Sequence, residues 1–346
     1  MKIMDDTGNW KIFFGLADDF YRLQPWNWMS EDLVFGVQVP GSENVLFCVV
    51  MGSHGHPSLG MFINERGLEG YLAVMGNELR IDLYAEIIMT SPHLMLSYME
   101  WEDLSFSQRK LFRSVGFRPS RSNAWPDIKE IITGRYPVDP VHFSAKQLIP
   151  VLEQSLEVAR QAKFNKAFIH GTQHQDEEFL IRRKIKNEKK AEWENTYKIC
   201  DGLTLKYKIT YKPKVVEEIL TFKHGAPIEV DLRMIPNPSG MRGSPDFFPF
   251  VLILANQEKH TLIGYELLKP LPSLDAMYEC IPGLFISIIH KAGIRPSNIY
   301  IRNGVVGFFI RHVLKPCGDN IIIADNLPVC DKLFENIMSL IELDGI

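Results

Sequence analysis

Two segments of the chain gather the residue types that metal binding and nucleophilic catalysis use. His54-Gly55-His56-Pro57-Ser58 sets two imidazoles two residues apart. In an extended segment that spacing aims both rings the same way, as half of a metal site would need. No carboxylate and no third histidine stands close by in sequence. A serine nucleophile on a sharp elbow needs Gly-x-Ser-x-Gly between a strand and a helix. Here the order is Gly55-x-x-Ser58-x-Gly60, in a loop expected to join two strands. His54, His56 and Ser58 are therefore expected to form a contact loop, without a catalytic role. His170-x-x-x-His174, followed by Asp176 and Glu177, has the four-residue spacing that puts two side chains on one helical face. Gly171 and Thr172 interrupt it, and the glutamate that follows the first histidine of a zincin is missing. No metal ligand is assigned.

The other conspicuous chemistry is charge. Arg182, Arg183, Lys184, Lys186, Lys189 and Lys190 form a basic run in a chain whose net charge is −4. The acidic balance gives no global attraction to nucleic acid, so phosphate contact, if made, is local to this run. No ladder of aromatics interleaves it, so base stacking is not expected. Acid pairs such as Asp18-Asp19, Glu102-Asp103 and Glu217-Glu218 are adjacent and point apart on a helix or strand. Neither a Gly-x-Gly-x-x-Gly loop nor a Walker A loop is present. No cofactor is expected.

The elements that must carry these residues are those of an ordinary globular chain, with 46% hydrophobic and 23% charged residues. A length of 346 residues exceeds what one core normally covers, which predicts two domains. Five scattered cysteines with no C-x-x-C interval read as reduced thiols, and a cytoplasmic location is expected. The N-terminal residues lack the apolar core of a signal peptide, and the longest apolar run, 247–255, is too short to cross a membrane.

Trp10, Phe13, Phe14, Ala17 and Phe20 recur at helical spacing, and Pro25 ends that helix. Strands are expected at 35–39, 45–51 and 59–63, a short helix at 67–75, and further strands around 79–83 and 94–98. Ser105-x-x-Gln108 and Ser144-x-x-Gln147 are capping boxes that open two helices. Residues 123–137 read as an irregular connection. The N-terminal domain, 1–165, is thus α+β, an antiparallel meander with flanking helices. A charged linker or hairpin occupies 166–205. From 206 to 346 strands and helices alternate, beginning with the apolar run 250–255, as in an α/β domain.

Gln24-Pro25-Trp26, Val50-Met51-Gly52, Gly67-Leu68-Glu69-Gly70-Tyr71, Trp125-Pro126 and Gly134-Arg135-Tyr136-Pro137 resemble the signature of a bacterial two-domain family of unknown function. The element order from 248 to 343 resembles a ribonuclease H-like domain. That resemblance implies carboxylates at the ends of the first and fourth strands holding two magnesium ions. Counting from the run at 250, those places carry Asn256 and Asn303, whose neutral amides are poor ligands for a hard cation. The leading expectation is a non-catalytic binding or interaction protein whose partner the sequence does not specify, a protein partner being one candidate. The alternatives are a nucleic-acid-associated protein with a degenerate ribonuclease H-like domain, and a metal-dependent hydrolase.

Overall fold

A computed structural model describes residues 6–53, 55–76, 81–165, 169, 178–186, 191–200, 207–239, 246–314 and 320–344. It divides into two compact units, Met1–Ile132 with Pro137–Thr204, and Thr133–Tyr136 with Leu205–Ile346.

In the first unit, β1 (Val34–Gln38), β2 (Val45–Met51), β3 (Ser58–Ile63), β4 (His93–Met99) and β5 (Trp125–Ile131) form an antiparallel meander. β6 (Glu178–Lys186) joins it parallel to β1, and β7 (Ala191–Ile199) pairs antiparallel with β6, so the sheet order is β5-β4-β3-β2-β1-β6-β7. The segment expected as a linker or hairpin therefore carries two strands of this sheet.

β2 is apolar throughout because both of its faces are covered. Leu46, Cys48 and Val50 face one core, with α1 (Thr7–Leu23), α4 (Phe106–Val115) and α5 (Ala145–Ala162). Phe47 and Val49 face another, with Leu68 and Tyr71 of α2 (Asn64–Met75). Gly67 and Gly70 belong to α2 and let it close on the sheet. A Cβ at Gly67 would stand 2.5 Å from the Pro92 carbonyl oxygen, and one at Gly70 would stand on the Ser91 hydroxyl.

Two expectations are corrected. The strand placed at 79–83 is instead a helix, α3 (Ile81–Thr90), with 77–80 outside the described residues. A short apolar alternation fits either period. The stretch 123–137 is not irregular throughout: it holds β5, an edge strand, where Pro126 is tolerated because it withdraws no donor from a second neighbour.

In the second unit the sheet runs β10-β9-β8-β11-β12. β8 (Ile228–Met234), β9 (Phe250–Asn256) and β10 (Thr261–Leu268) are antiparallel neighbours. β11 (Asn298–Ile301) and β12 (Asn320–Ile323) run parallel to β8. The helices are α6 (Pro213–Leu220), α7 (Leu274–Tyr278), α8 (Ile281–Lys291), α9 (Gly304–Leu314) and α10 (Pro328–Asp344). The first strand of this unit is thus β8, ahead of the run at 250 that the apolar pattern singles out. β8 alternates Ile228, Val230, Leu232 and Met234 with Glu229, Asp231 and Arg233, the signature of a half-exposed strand, yet all seven residues are buried. The cross-strand register aligns Glu229, Asp231 and Arg233 with Ala255, Ile253 and Val251, whose core is shared with Val329, Cys330 and Phe334 of α10.

Candidate functional site

Only some of the residues singled out by type and spacing fall among the described residues. His56 is exposed, Ser58 is buried at the start of β3 with its hydroxyl 3.4 Å from the His56 carbonyl, and His54 lies outside the described residues. So do His170, His174, Asp176 and Glu177. Among the described residues no group of three His, Cys, Asp or Glu side chains is arranged to hold a metal ion.

In the basic run, Arg182 is held by the protein. Its Nε donates to Gln154 Oε1 at 2.9 Å and its Nη1 to Asn195 Oδ1, and burial lowers its pKa. Arg183 and Lys184 are exposed on β6 and stand opposite Glu194 and Trp193, with Lys184 Nζ 5.9 Å from the Trp193 ring. The side chain of Lys186, and Lys189 and Lys190 entirely, lie outside the described residues.

Asn256 and Asn303 do not converge. Asn256 ends β9 beside Ile228, at the beginning of β8, and its Oδ1 accepts the Lys259 N–H at 2.8 Å. Asn303 follows β11 at the opposite end of the sheet and caps α9, accepting the N–H groups of Val305 and Val306 at 2.9 and 3.2 Å. Both amides serve turns.

Two other places concentrate chemistry. The first is a cavity of about 330 Å³ in the first unit, between α1, α4 and the edge strand β5. Trp10, Phe14, Leu111, Phe112 and Ile128 supply apolar wall, and Asp127, Gln108 and Asp139 supply the polar end. The Ser105 capping box is present: Gln108 Oε1 accepts the Ser105 N–H at 2.7 Å and the Ser105 hydroxyl accepts the Gln108 N–H at 3.2 Å. The same Gln108 donates its Nε2 to Asp127 Oδ1. Lys129 Nζ lies 2.6 Å from Asp139 Oδ1 and 3.5 Å from Asp127 Oδ1. Burial raises the Asp127 pKa against the pull of Lys129. Burial draws the Lys129 pKa down, but the hydrogen bond to Asp139 and the two carboxylate charges more than offset it, so the net shift is upward.

The second place is an ion network beneath α10, on the face of β8 that carries its charges. Glu229 Oε2 accepts the N–H groups of Val329 and Cys330, each at 2.9 Å, which seats a carboxylate on the first turn of α10. Arg302, the residue after β11, places Nη2 2.7 Å from Asp331 Oδ1 and Nη1 3.6 Å from Asp231 Oδ2. Arg233 reaches the same Asp331 oxygen at 3.4 Å and lies over the Phe334 ring at 4.3 Å. Glu229, Asp231 and Asp331 are three acids to the two guanidiniums of Arg233 and Arg302. Asp231 takes up the imbalance. Its burial pushes its pKa up to about 6, with Arg302 and Arg233 pulling down and Asp331 pushing up. Burial, together with Asp231 and Glu229, raises the Cys330 thiol as well.

Sequence pattern concealed both places. The capping-box role of Gln108 is visible from spacing, but its second bond to a residue nineteen positions on is not. The charged row of β8 was legible only as alternation, which ordinarily marks a solvent face.

A family model described as a domain of unknown function (DUF7309) matches residues 10–182, half of the chain. The chain belongs to that family. A second model, also described as a domain of unknown function (DUF6930), matches residues 198–338. The first match ends within β6 and the second begins within β7, although the two strands pair as one hairpin in the first unit's sheet. No curated protein and no solved structure matches the chain. Among the described residues no helix is long and apolar enough to cross a membrane.

Proposed function

We propose that this protein is a non-catalytic binding protein whose second unit is a ribonuclease H-like domain with an ion network in place of a metal centre. The strand arrangement supports the fold reading. A reaction centre shared by the first and fourth strands requires those strands side by side, and β8 and β11 are parallel neighbours with their carboxyl ends at one edge. That edge is where open sheets with parallel strands bind ligands. Asp231 of β8 is the first-strand acid in this reading. The observation that carries the loss of catalysis is the position of Arg302. A hard divalent cation needs anionic or carbonyl oxygen around it. Here a guanidinium lies between Asp231 and Asp331, at 3.6 and 2.7 Å, and neutralises the charge that would attract the ion. The binding part of the reading is supported by the apolar cavity of the first unit, whose size falls in the range of small-molecule sites.

Calorimetric titration with Mn²⁺ and Mg²⁺, and incubation with labelled DNA and RNA in each metal, test this. The expected result is neither stoichiometric metal binding nor cleavage. Stoichiometric Mn²⁺ binding together with cleavage that Asp231→Asn abolishes would overturn it.

A further inference from the structure

The cavity between α1, α4 and β5 has a directional polar end. Asp127 is more than nine-tenths buried, with a side-chain exposure of 8%, and lines the cavity. Both of its side-chain partners, Gln108 and Lys129, reach Oδ1. Oδ2 has no protein partner among the described residues. Gln108 cannot swing away to serve it without leaving the Ser105 N–H, so the carboxylate is oriented by a side chain that is itself fixed at both ends.

The local charge is −1, from Asp127 and Asp139 against Lys129. The apolar lining is largely aromatic: Trp10 stacks on Phe14 at 5.5 Å, and Phe14 meets Phe112 at 4.7 Å. An aromatic face attracts a cation, as an unsatisfied carboxylate oxygen does, and both repel an anion. The rest of the cavity rewards apolar volume, and about 330 Å³ accommodates a bicyclic body.

We propose that this cavity is a binding site for an organic ammonium: an aromatic or branched apolar body seated against Trp10, Phe14 and Leu111, with its N–H⁺ donating to Asp127 Oδ2. This supplies the ligand class for the binding reading above and rests on that part of it alone. Failure of amine binding leaves the metal-insensitivity of the second unit as it was, and the two can be told apart in one preparation.

The test uses the full chain and three isosteric probes, tryptamine, 3-propylindole and indole-3-propionate, titrated calorimetrically at pH 7. Tryptamine is expected to bind one to one, with indole-3-propionate at least about tenfold weaker. Asp127→Asn should abolish the preference of tryptamine over 3-propylindole. Leu111→Trp, which fills the cavity from α4, should abolish binding of all three. Equal affinity for amine and acid, no saturable heat with tryptamine at millimolar concentration, or a preference that survives Asp127→Asn would each overturn the proposal. If Asp127→Asn fails to fold, the wild-type series of three charges decides the matter.

Discussion

Replacing Arg302 by Met keeps the apolar stem and removes the charge that bridges Asp231 and Asp331. At 3.6 Å and an effective dielectric constant of about 20, the attraction between Arg302 and Asp231 is about 5 kcal/mol before desolvation. Asp231 has an exposure of 1%, so no solvent replaces the lost partner. Breaking a buried pair from one side typically costs about 3–5 kcal/mol, and that is the loss expected at pH 7.5. The loss should depend on pH in a defined direction. The folded protein holds the Asp231 proton up to about pH 6, whereas the unfolded chain releases it near the ordinary aspartate value of 3.8. The stability contributed by protonated Asp231 is therefore present below about pH 4 and is lost as pH rises through about 6. Removing Arg302 raises this pKa further. At pH 5 Asp231 is neutral in both proteins, and what the variant lacks is chiefly the Arg302–Asp331 bond, worth about 2 kcal/mol. Urea unfolding at the two pH values, with the transitions of the two units fitted separately, measures both losses. A second substitution, Asp231→Asn on the Arg302→Met background, should restore part of the stability by removing the orphaned charge. A loss below about 1 kcal/mol at pH 7.5, or one of equal size at both pH values, would refute the bridging role of Arg302.

Gly67→Ala is expected to destabilise the first unit by about 1–3 kcal/mol, although alanine in a helix interior ordinarily gains stability over glycine. The added Cβ meets backbone atoms of Phe62 and Pro92, which cannot rotate away. A Gly67→Ala protein that melts higher than wild type would contradict this. Alkylation with iodoacetamide at pH 8, mapped by peptide mass spectrometry, should label exposed Cys280 in the native protein, and Cys48 and Cys330 only in denaturant. Burial pushes the Cys48 thiol up to about 12 and raises Cys330 as well, so neither forms the thiolate that reacts. Native labelling of Cys48 at the rate of Cys280 would show that the core opens.

Local rules in the chain were strong where one element satisfied them alone. The three-and-four spacing of Trp10 to Phe20 gave α1, the capping boxes at Ser105 and Ser144 gave the starts of α4 and α5, and short apolar runs gave β2, β3 and β9. The α+β character of the first part and the α/β character of the second follow from these elements. Pattern failed where a partner distant in sequence supplied the missing half. β5 tolerates Pro126 because it lies at a sheet edge, which only the sheet order specifies. β8 looks half-exposed because its charged row meets its compensation in Arg302 and in the backbone of α10, roughly seventy to a hundred residues away.

The candidate sites divide the same way. Sequence alone showed that no Gly-x-Ser-x-Gly elbow, phosphate loop or C-x-x-C interval is present, because those motifs have short, recognisable spacings. It also led to Asn256 as a first-strand position, an assignment that fails because a strand's place in a sheet depends on its neighbours and not on its apolarity. Tertiary structure alone decided that Gln108 and Lys129 orient Asp127 at an apolar cavity, and that Arg302 lies between Asp231 and Asp331. The Gln108–Asp127 bond and the Arg302 bridge join residues on different elements through interactions a few ångströms long, which no spacing along the chain encodes.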